Sequence, residues 1–351
     1  MGTYILRRLL LMVPTLFGVM ALTFAVIQFV PGGPVERTLA VLEGQGSAGE
    51  VGQAATRPGG YRGAQGLDPA LIQRLERQFG FDRPPLERFL VMMGRFVTFD
   101  FGESYYHHKK VVDLVIERLP VSISLGLWTF LLTYLCSIPL GIAKAVRDGS
   151  RFDAVTSVLV LVGYSIPGFV LGLVLIVLFG GGSFWDVFPL RGLTSDGWEH
   201  LSWPMKIADY LWHMTLPVVA AVVGSFAVMT MLTKNSFMEE ISRQYVITAR
   251  AKGLPESAVL YRHVFRNAMI PLVTGFPGSF VAAFFSGSLL IETIFSLNGL
   301  GLLGYDSVMN RDYPVVMATL YFFTLLGLLT RLLTDLTYVL VDPRISFGAN
   351  R

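Results

Sequence analysis

Few residues of this 351-residue chain have the types and spacing needed to catalyse the making or breaking of covalent bonds. A phosphate-binding loop requires Gly-Lys followed by Ser or Thr, and the sequence contains no Gly-Lys dipeptide. His107 and His108 are adjacent, but neighbouring histidines seldom direct both rings to one metal ion without further ligands. The single cysteine, Cys136, has no disulfide partner within the chain. The sequence therefore predicts a non-catalytic protein that itself binds no cofactor and no metal.

The segment 234–266 is typical of a docking surface rather than of an active site. A short helix is expected to stop at Gly253, and a second helix is expected to start near Pro255. Arg250, Lys252 and Arg266 are candidates to pair with acidic groups of a partner protein. A solvated connector between two membrane helices explains the same segment and the same charges equally well.

Two apolar stretches combine kinks with polar atoms, as the lining of a substrate path would. The candidates in them are Tyr164, Ser165, Pro167, Phe276 and Ser279. Proline and glycine also serve helix packing in membranes, so packing remains the alternative for most of these positions. Ionisable groups at membrane depth are functional candidates by default. Glu292, for which the sequence offers no local partner, is therefore a candidate gate or substrate contact.

The composition indicates the elements that must position these residues. The chain is 53% hydrophobic and 15% charged, whereas soluble domains carry roughly 25% charged residues. A membrane-spanning helix needs about 20 apolar residues. Six runs lack acidic and basic residues: 9–35, 119–143, 154–185, 210–233, 267–291 and 313–330, the last continuing as a helix of about 315–339. We expect an all-α membrane protein with six transmembrane helices and a long external insertion between helices 1 and 2.

This pattern divides the chain into three parts. They are an N-terminal helix in 1–30, an external insertion in 31–118, and a core of helices 2–6 in 119–351 that includes the loop 234–266. If the N-terminus is cytoplasmic, the inner segments hold thirteen basic residues against six acids. The outer loops 186–209 and 293–312 hold three basic residues against six acids. The positive-inside rule therefore predicts that both termini are cytoplasmic. The net charge of +3 gives no indication of a nucleic-acid partner.

The run Tyr245–Gly253, with the His-x-x-Arg-Asn-Ala-x-x-Pro pattern that ends at Pro271, resembles a family signature. It is similar to the signature loop of ABC importer membrane subunits in the oligopeptide/dipeptide branch. The generic family motif begins Glu-Ala-Ala, where this chain has Ile247, Thr248 and Ala249. The missing Glu departs from the wider family and resembles the peptide branch. Further matching stretches are Asp100–Ser104, Glu117–Pro120, Ser165–Phe169, Arg311–Pro314 and Asp342–Ile345.

Other stretches resemble the B subunit of the Yej-type subgroup, which is associated with oligopeptides and with the peptide-nucleotide antibiotic microcin C. The stretch Gly287–Gly304 carries Asn298 where most members of the branch have Pro. The subgroup resemblance rests on that form, on Phe188–Gly192 and on Leu232–Ser236.

The resemblance implies a permease subunit in the bacterial inner membrane. Its implied partners are ATP-binding subunits that carry ATP and Mg, a second similar permease subunit, a periplasmic substrate-binding protein, a peptide substrate and the lipid bilayer. In the family the signature loop forms the coupling helix that fits a cleft on the ATPase. Glu292 would then be a gate or a contact for the amino end of the peptide. The implied coupling residues are Tyr245, Thr248, Ala249, Arg250, Ala251, Lys252, Gly253, His263, Arg266 and Asn267.

Two other functions are weighed against this one. A stand-alone secondary transporter or channel usually has internal inverted repeats and paired charges within the membrane, and neither is clear in the sequence. A membrane-anchored sensor or scaffold would use 31–118 to bind a partner. Adjacent genes for an ATPase and a secreted binding protein would favour the importer over both.

Overall fold

The computed structural model describes residues 2–29, 83–180, 184–285 and 288–341. Regular secondary structure within these ranges is helical, apart from one isolated antiparallel bridge between Glu103 and Lys110. The predicted all-α membrane fold is confirmed. Most of the predicted insertion 31–118 lies outside the described residues. Its described part, from residue 83 onwards, contains the helix α2 (Pro85–Val97), the loop that follows it and the first residues of the next helix, which begins at Val111.

Four helices of the described chain are long and apolar enough to cross a membrane singly. They are α1 (Gly2–Phe29), α3 (Val111–Val146), α6 (Trp203–Ile241) and α13 (Tyr313–Val341). The remaining elements are α2 (Pro85–Val97), α4 (Arg151–Ser165), α5 (Gly168–Phe179), α7 (Gln244–Ala251), α8 (Glu256–Ala258), a π-helical turn (Val259–Val264), α9 (Phe265–Ala268), α10 (Ile270–Phe285), α11 (Leu289–Ile294) and α12 (Leu300–Met309), with a 3₁₀ turn at Trp198–His200.

The third predicted span is a bent pair of helices rather than one straight helix. α4 and α5 meet at an angle of 92°. Pro167 disfavours helical geometry at the residue before it, and Ile166 is extended at φ −92° and ψ 116°. The two helices form one broken span or a re-entrant loop.

The fifth predicted span, 267–291, is also divided. Ser288 departs from helical geometry, with φ −98° and ψ 87°, so that α10 and α11 are separate helices. α10 has 16 residues, a length of about 24 Å at 1.5 Å per residue. That is shorter than the roughly 30 Å of a bilayer core. The described parts of the six apolar runs are therefore mostly helical: four runs lie on single long helices, and the third and fifth are each divided into two helices.

The described residues form two compact units. Unit 1 takes in residues 2–6, 118–302 and 326–341, and unit 2 takes in 7–29, 83–117 and 303–325. The core of unit 1 is built around α6, and its buried members are Leu125, Met214, Leu216, Val218, Ala220, Ile291, Phe295 and Leu297. A second buried cluster of unit 1 lies at the C-terminal end of α6 and supports the segment 244–268.

Unit 2 brings together two stretches that the sequence shows far apart. Asp312 lies just before α13, and its carboxylate accepts hydrogen bonds from the Ser104 hydroxyl and from the backbone N–H of Tyr105, the latter at 3.0 Å. Ser104 and Asp312 are both buried. Phe101 packs against Tyr321, with ring centroids 5.5 Å apart. These contacts hold the loop after α2 against the start of α13.

Candidate functional site

The segment 244–268 folds into two short helical pieces joined by a tight turn. α7 ends at Ala251, and Gly253 then adopts φ +76°, a left-handed conformation that glycine reaches without steric cost. The Gly253 N–H donates to the carbonyl of Arg250 at 2.9 Å. This glycine ends the helix as helix C-termini commonly do. The turn predicted at this position is present in the structure.

Apolar packing fixes this segment to the end of α6. Val246 and Ala249 of α7 are buried against Phe237 of α6. Val259, Val264 and Ala268 complete the same cluster. Burial of such side chains stabilises the arrangement by roughly 25 cal/mol per Å² of apolar surface. We call residues 244–268 the docking platform, because one face of α7 packs on this apolar cluster and its other face is exposed to solvent.

The ten predicted coupling residues lie in this platform but do not share one face. Thr248, Arg250, Ala251, Lys252, Gly253, His263 and Arg266 are exposed. Ala249 points into the apolar base and is 5% exposed. Tyr245 and Asn267 are half-buried. The buried and half-buried residues thus shape the platform, whereas the exposed residues form its accessible surface.

Tyr245 links the platform to α6. Its hydroxyl donates to Glu240 Oε2 at 2.6 Å, and Asn267 also hydrogen-bonds to it. Burial, followed by the hydrogen bond to Glu240, raises the pKa of Tyr245 above its ordinary value. The neutral phenol is therefore the form that holds α7 to the end of α6.

Arg250 has a partner that sequence reasoning missed. Its Nε and Nη2 donate to the two carboxylate oxygens of Glu256, at 2.8 and 3.1 Å. The two residues lie on either side of the Gly253 turn and both are exposed. A separation of six residues is not a helical i,i+3 or i,i+4 spacing, so local periodicity gives no signal of this pair. The pair closes the turn and offsets part of the positive charge of Arg250.

The candidates for a substrate path fall into three separate groups. Tyr164, Ser165 and Pro167 are exposed at the break between α4 and α5. Phe276 and Ser279 are exposed on α10.

The α10 group faces two aromatic residues of α3. The Phe276 ring lies 5.1 Å from that of Phe130 and 5.7 Å from that of Tyr134. Tyr134 also hydrogen-bonds with Ser279. Sequence reasoning did not single out Phe130 or Tyr134, since both sit in an unbroken apolar helix.

Glu292 forms the third group, and the expectation that it has no local partner is wrong. Its side chain is fully buried on α11. Its Oε2 accepts a hydrogen bond from the backbone N–H of Leu302 at 2.7 Å, whereas its Oε1 is buried with no hydrogen-bond partner among the described residues. A Cβ at Gly299 would lie 2.5 Å from the carboxylate. The side chain therefore fastens the loop between α11 and α12 in this structure.

Comparison with known proteins identifies the family. Residues 137–347 match the family described as "Binding-protein-dependent transport system inner membrane component". The chain is 58% identical to the "Peptidoglycan transport system permease protein YejB" of Agrobacterium fabrum, over 99% of both chains. The chain belongs to this family.

Two further relatives show to which branch of the family this chain is similar. The "Inner membrane ABC transporter permease protein YejB" of Escherichia coli O157:H7 is 51% identical, over 99% of both chains. The "Oligopeptide transport system permease protein AppB" of Bacillus subtilis is 32% identical, over 99% of this chain and 100% of that one. The predicted resemblance to ABC importer permeases, and to the Yej-type subgroup, is confirmed. This family member is a multi-pass protein of the inner membrane.

Proposed function

We propose that this chain is the membrane-spanning permease subunit of an ATP-driven peptide importer. One observation carries the proposal: its relatives along nearly the whole chain are named as permeases for peptidoglycan or oligopeptide transport. Microcin C-like peptide-nucleotides belong to the proposed cargo class through the Yej-type resemblance.

ATP hydrolysis is assigned to a separate ATPase subunit that binds ATP and Mg. The absence of a Gly-Lys dipeptide, which a phosphate-binding loop needs, supports this assignment. The chain itself then performs no covalent chemistry. Its docking platform receives the force of ATPase closure, which opens the path alternately to the two sides of the membrane.

The remaining partners follow from the same proposal. A second, similar permease subunit completes the path, and a periplasmic substrate-binding protein delivers the peptide. The excess of basic residues in the inner segments supports cytoplasmic termini and a cytoplasmic platform. The exposed platform residues contact the ATPase. Tyr164, Ser165, Pro167, Phe276, Ser279 and Glu292 remain proposed as residues that line or shape the path.

Co-purification of the complex tests this proposal. The tagged chain is expressed with candidate ATPase subunits encoded beside it, extracted in detergent, and isolated through its tag. We expect the ATPase to co-purify and to hydrolyse ATP faster when binding protein and peptide are added. A chain that purifies folded without any of these ATPases, and that moves peptide without ATP, would support the stand-alone transporter instead.

A further inference from the structure

A buried cluster of charges joins three helices of unit 1. Asp153, at the start of α4, lies between two ammonium groups. Its Oδ1 is 3.0 Å from Lys144 Nζ of α3, and its Oδ2 is 2.7 Å from Lys234 Nζ of α6. Lys144 is fully buried, and Asp153 and Lys234 are less than 10% exposed. Lys234 also meets Asp148 at 2.9 Å, and Asp148 is half-exposed.

The cluster is costly to disrupt, although it adds little net stability. Burying charges costs hydration free energy that their attraction offsets only in part, whereas removing one partner leaves a buried charge unpaired. Lys144 Nζ also donates to the Asp153 carbonyl at 3.1 Å, to Thr156 Oγ1 at 3.0 Å and to Ser157 Oγ at 2.6 Å. The end of α3 is thereby fastened to the first turns of α4. If α4 shifted away, Lys144 would lose these partners while buried, and Lys234 would keep only Asp148.

On one side, the charge cluster lies next to the buried apolar cluster that supports the docking platform. Ala145 follows Lys144 on α3, and Phe237 lies one turn beyond Lys234 on α6. Both belong to the buried apolar cluster that includes Val246 and Ala249 of α7. The two lysines therefore sit on the same helices, within one turn of the side chains that carry the platform.

On the other side, the cluster holds the helix that leads to the break in the third span. From Asp153 to Ser165, α4 is continuous, a rigid length of about 18 Å at 1.5 Å per residue. Tyr164 and Ser165, two of the path candidates, end that helix. Packed contacts and ion pairs thus connect the platform with the break through residues of unit 1.

We propose that Asp153 is a positioning residue for transport. It clamps α4 to α3 and α6. When the docking platform moves, α4 therefore moves with it as one rigid body, up to the break between α4 and α5. This inference rests on the proposed function. It adds that coupling between ATP hydrolysis and movement of the path depends on one buried carboxylate shared by two lysines.

Two variants test the clamp. Asp153→Asn keeps the side-chain size but removes the charge that both lysines share. Because that change can prevent folding, the second variant is Lys144→Met/Asp153→Asn, which removes one positive and one negative charge and leaves the Lys234–Asp148 pair in place. Asp113→Asn, an exposed acid in the first turn of α3, is the matched control.

The first readout is the amount of labelled peptide taken up per ATP hydrolysed by the complete complex in proteoliposomes. We expect the folded double variant to bind the ATPase and hydrolyse ATP, but to transport about tenfold less peptide per ATP, a typical size for energetic coupling between sites. The control should keep the native ratio. Unchanged uptake per ATP in the double variant overturns the inference, as does loss of ATPase binding by the folded variant.

The second readout needs no ATPase. Spin labels at Ile247 of α7 and Leu161 of α4, both exposed, with Cys136→Ser in the background, report the distance between platform and α4. We expect a narrow distance distribution in the native chain and a broad one in the double variant. An unchanged distribution overturns the clamp. Failure of ATP-driven uptake by the native complex would instead contradict the proposed function, so the two failures are distinguishable.

Discussion

Gly253 is the residue at which the backbone itself limits substitution. Its φ of +76° is strained for any residue with a Cβ, although no atom lies within 4 Å of where that Cβ would be. Gly253→Val should therefore distort the turn at a local cost of about 1–2 kcal/mol and reduce the ATPase that co-purifies, while membrane insertion stays intact. Gly253→Asn is the control, because Asn tolerates the left-handed region better. Equal co-purification of the Val and Asn variants would argue against a platform whose shape matters.

Variants of Arg250 and Glu256 can distinguish a direct contact of Arg250 with the ATPase from a role in closing the turn. Exposed ion pairs contribute about 0–1 kcal/mol to stability, so losing the pair should disturb the platform only slightly. If Arg250 also touches an acidic group of the ATPase, Arg250→Gln should weaken ATPase binding clearly more than Glu256→Gln, and Arg250→Glu should weaken it most. Binding is compared by co-purification at two salt concentrations. Identical losses in the Arg250→Gln and Glu256→Gln variants would restrict Arg250 to closing the turn.

Glu292 illustrates a carboxylate whose surroundings are backbone groups. Replacing it with Gln removes the charge from the acceptor of the Leu302 N–H, and hydrogen bonds to charged groups contribute about 1.5–3 kcal/mol against about 0.5–1.5 kcal/mol for neutral ones. Glu292→Gln should therefore lower the thermal stability of the purified chain in detergent. Glu199→Gln, at an exposed position, serves as the control. Native stability of the Glu292 variant combined with lost uptake would favour a direct role in the path.

Among the elements, the loop after α2 depends on the start of α13. Ser104 and Asp312 are buried together within unit 2. Ser104→Ala and Asp312→Asn should each destabilise the chain by about 1–3 kcal/mol. The double variant should lose less than the sum of the two, since both changes remove one interaction. Chemical denaturation in detergent measures the three values, and strictly additive losses would show that the two side chains act independently.

The membrane helices were predictable from the apolar composition that a bilayer requires. Contacts between side chains distant in sequence were not. The described parts of the six apolar runs are mostly helical, because a bilayer core offers backbone groups no hydrogen-bond partners outside the protein. Pro167 marked a kink, but the local sequence does not specify its angle of 92°. Asp153 and Lys234 are 81 residues apart, and Ser104 and Asp312 are 208 apart. No local sequence period predicts contacts between residues so far apart, so the Asp153 clamp is visible only in the structure. The same is true of the burial of Glu292.

For the whole molecule, membership of the binding-protein-dependent permease family unites these features. Under the proposed function, the docking platform receives the energy of ATP hydrolysis from a separate subunit. The positive-inside bias predicts that the platform faces the cytoplasm. Labelling of single cysteines at exposed platform positions, with Cys136→Ser in the background, should occur only after the membrane is permeabilised. Labelling in intact cells by an impermeant reagent would reverse the topology.

Peptide uptake is the measurement that tests the central claim most directly. The complete complex is reconstituted in proteoliposomes with its binding protein, and entry of a labelled peptide is followed with ATP, without ATP and with a nonhydrolysable analogue. The account predicts uptake only when the ATPase, hydrolysable ATP and binding protein are all present. Uptake by this chain alone without ATP would contradict it.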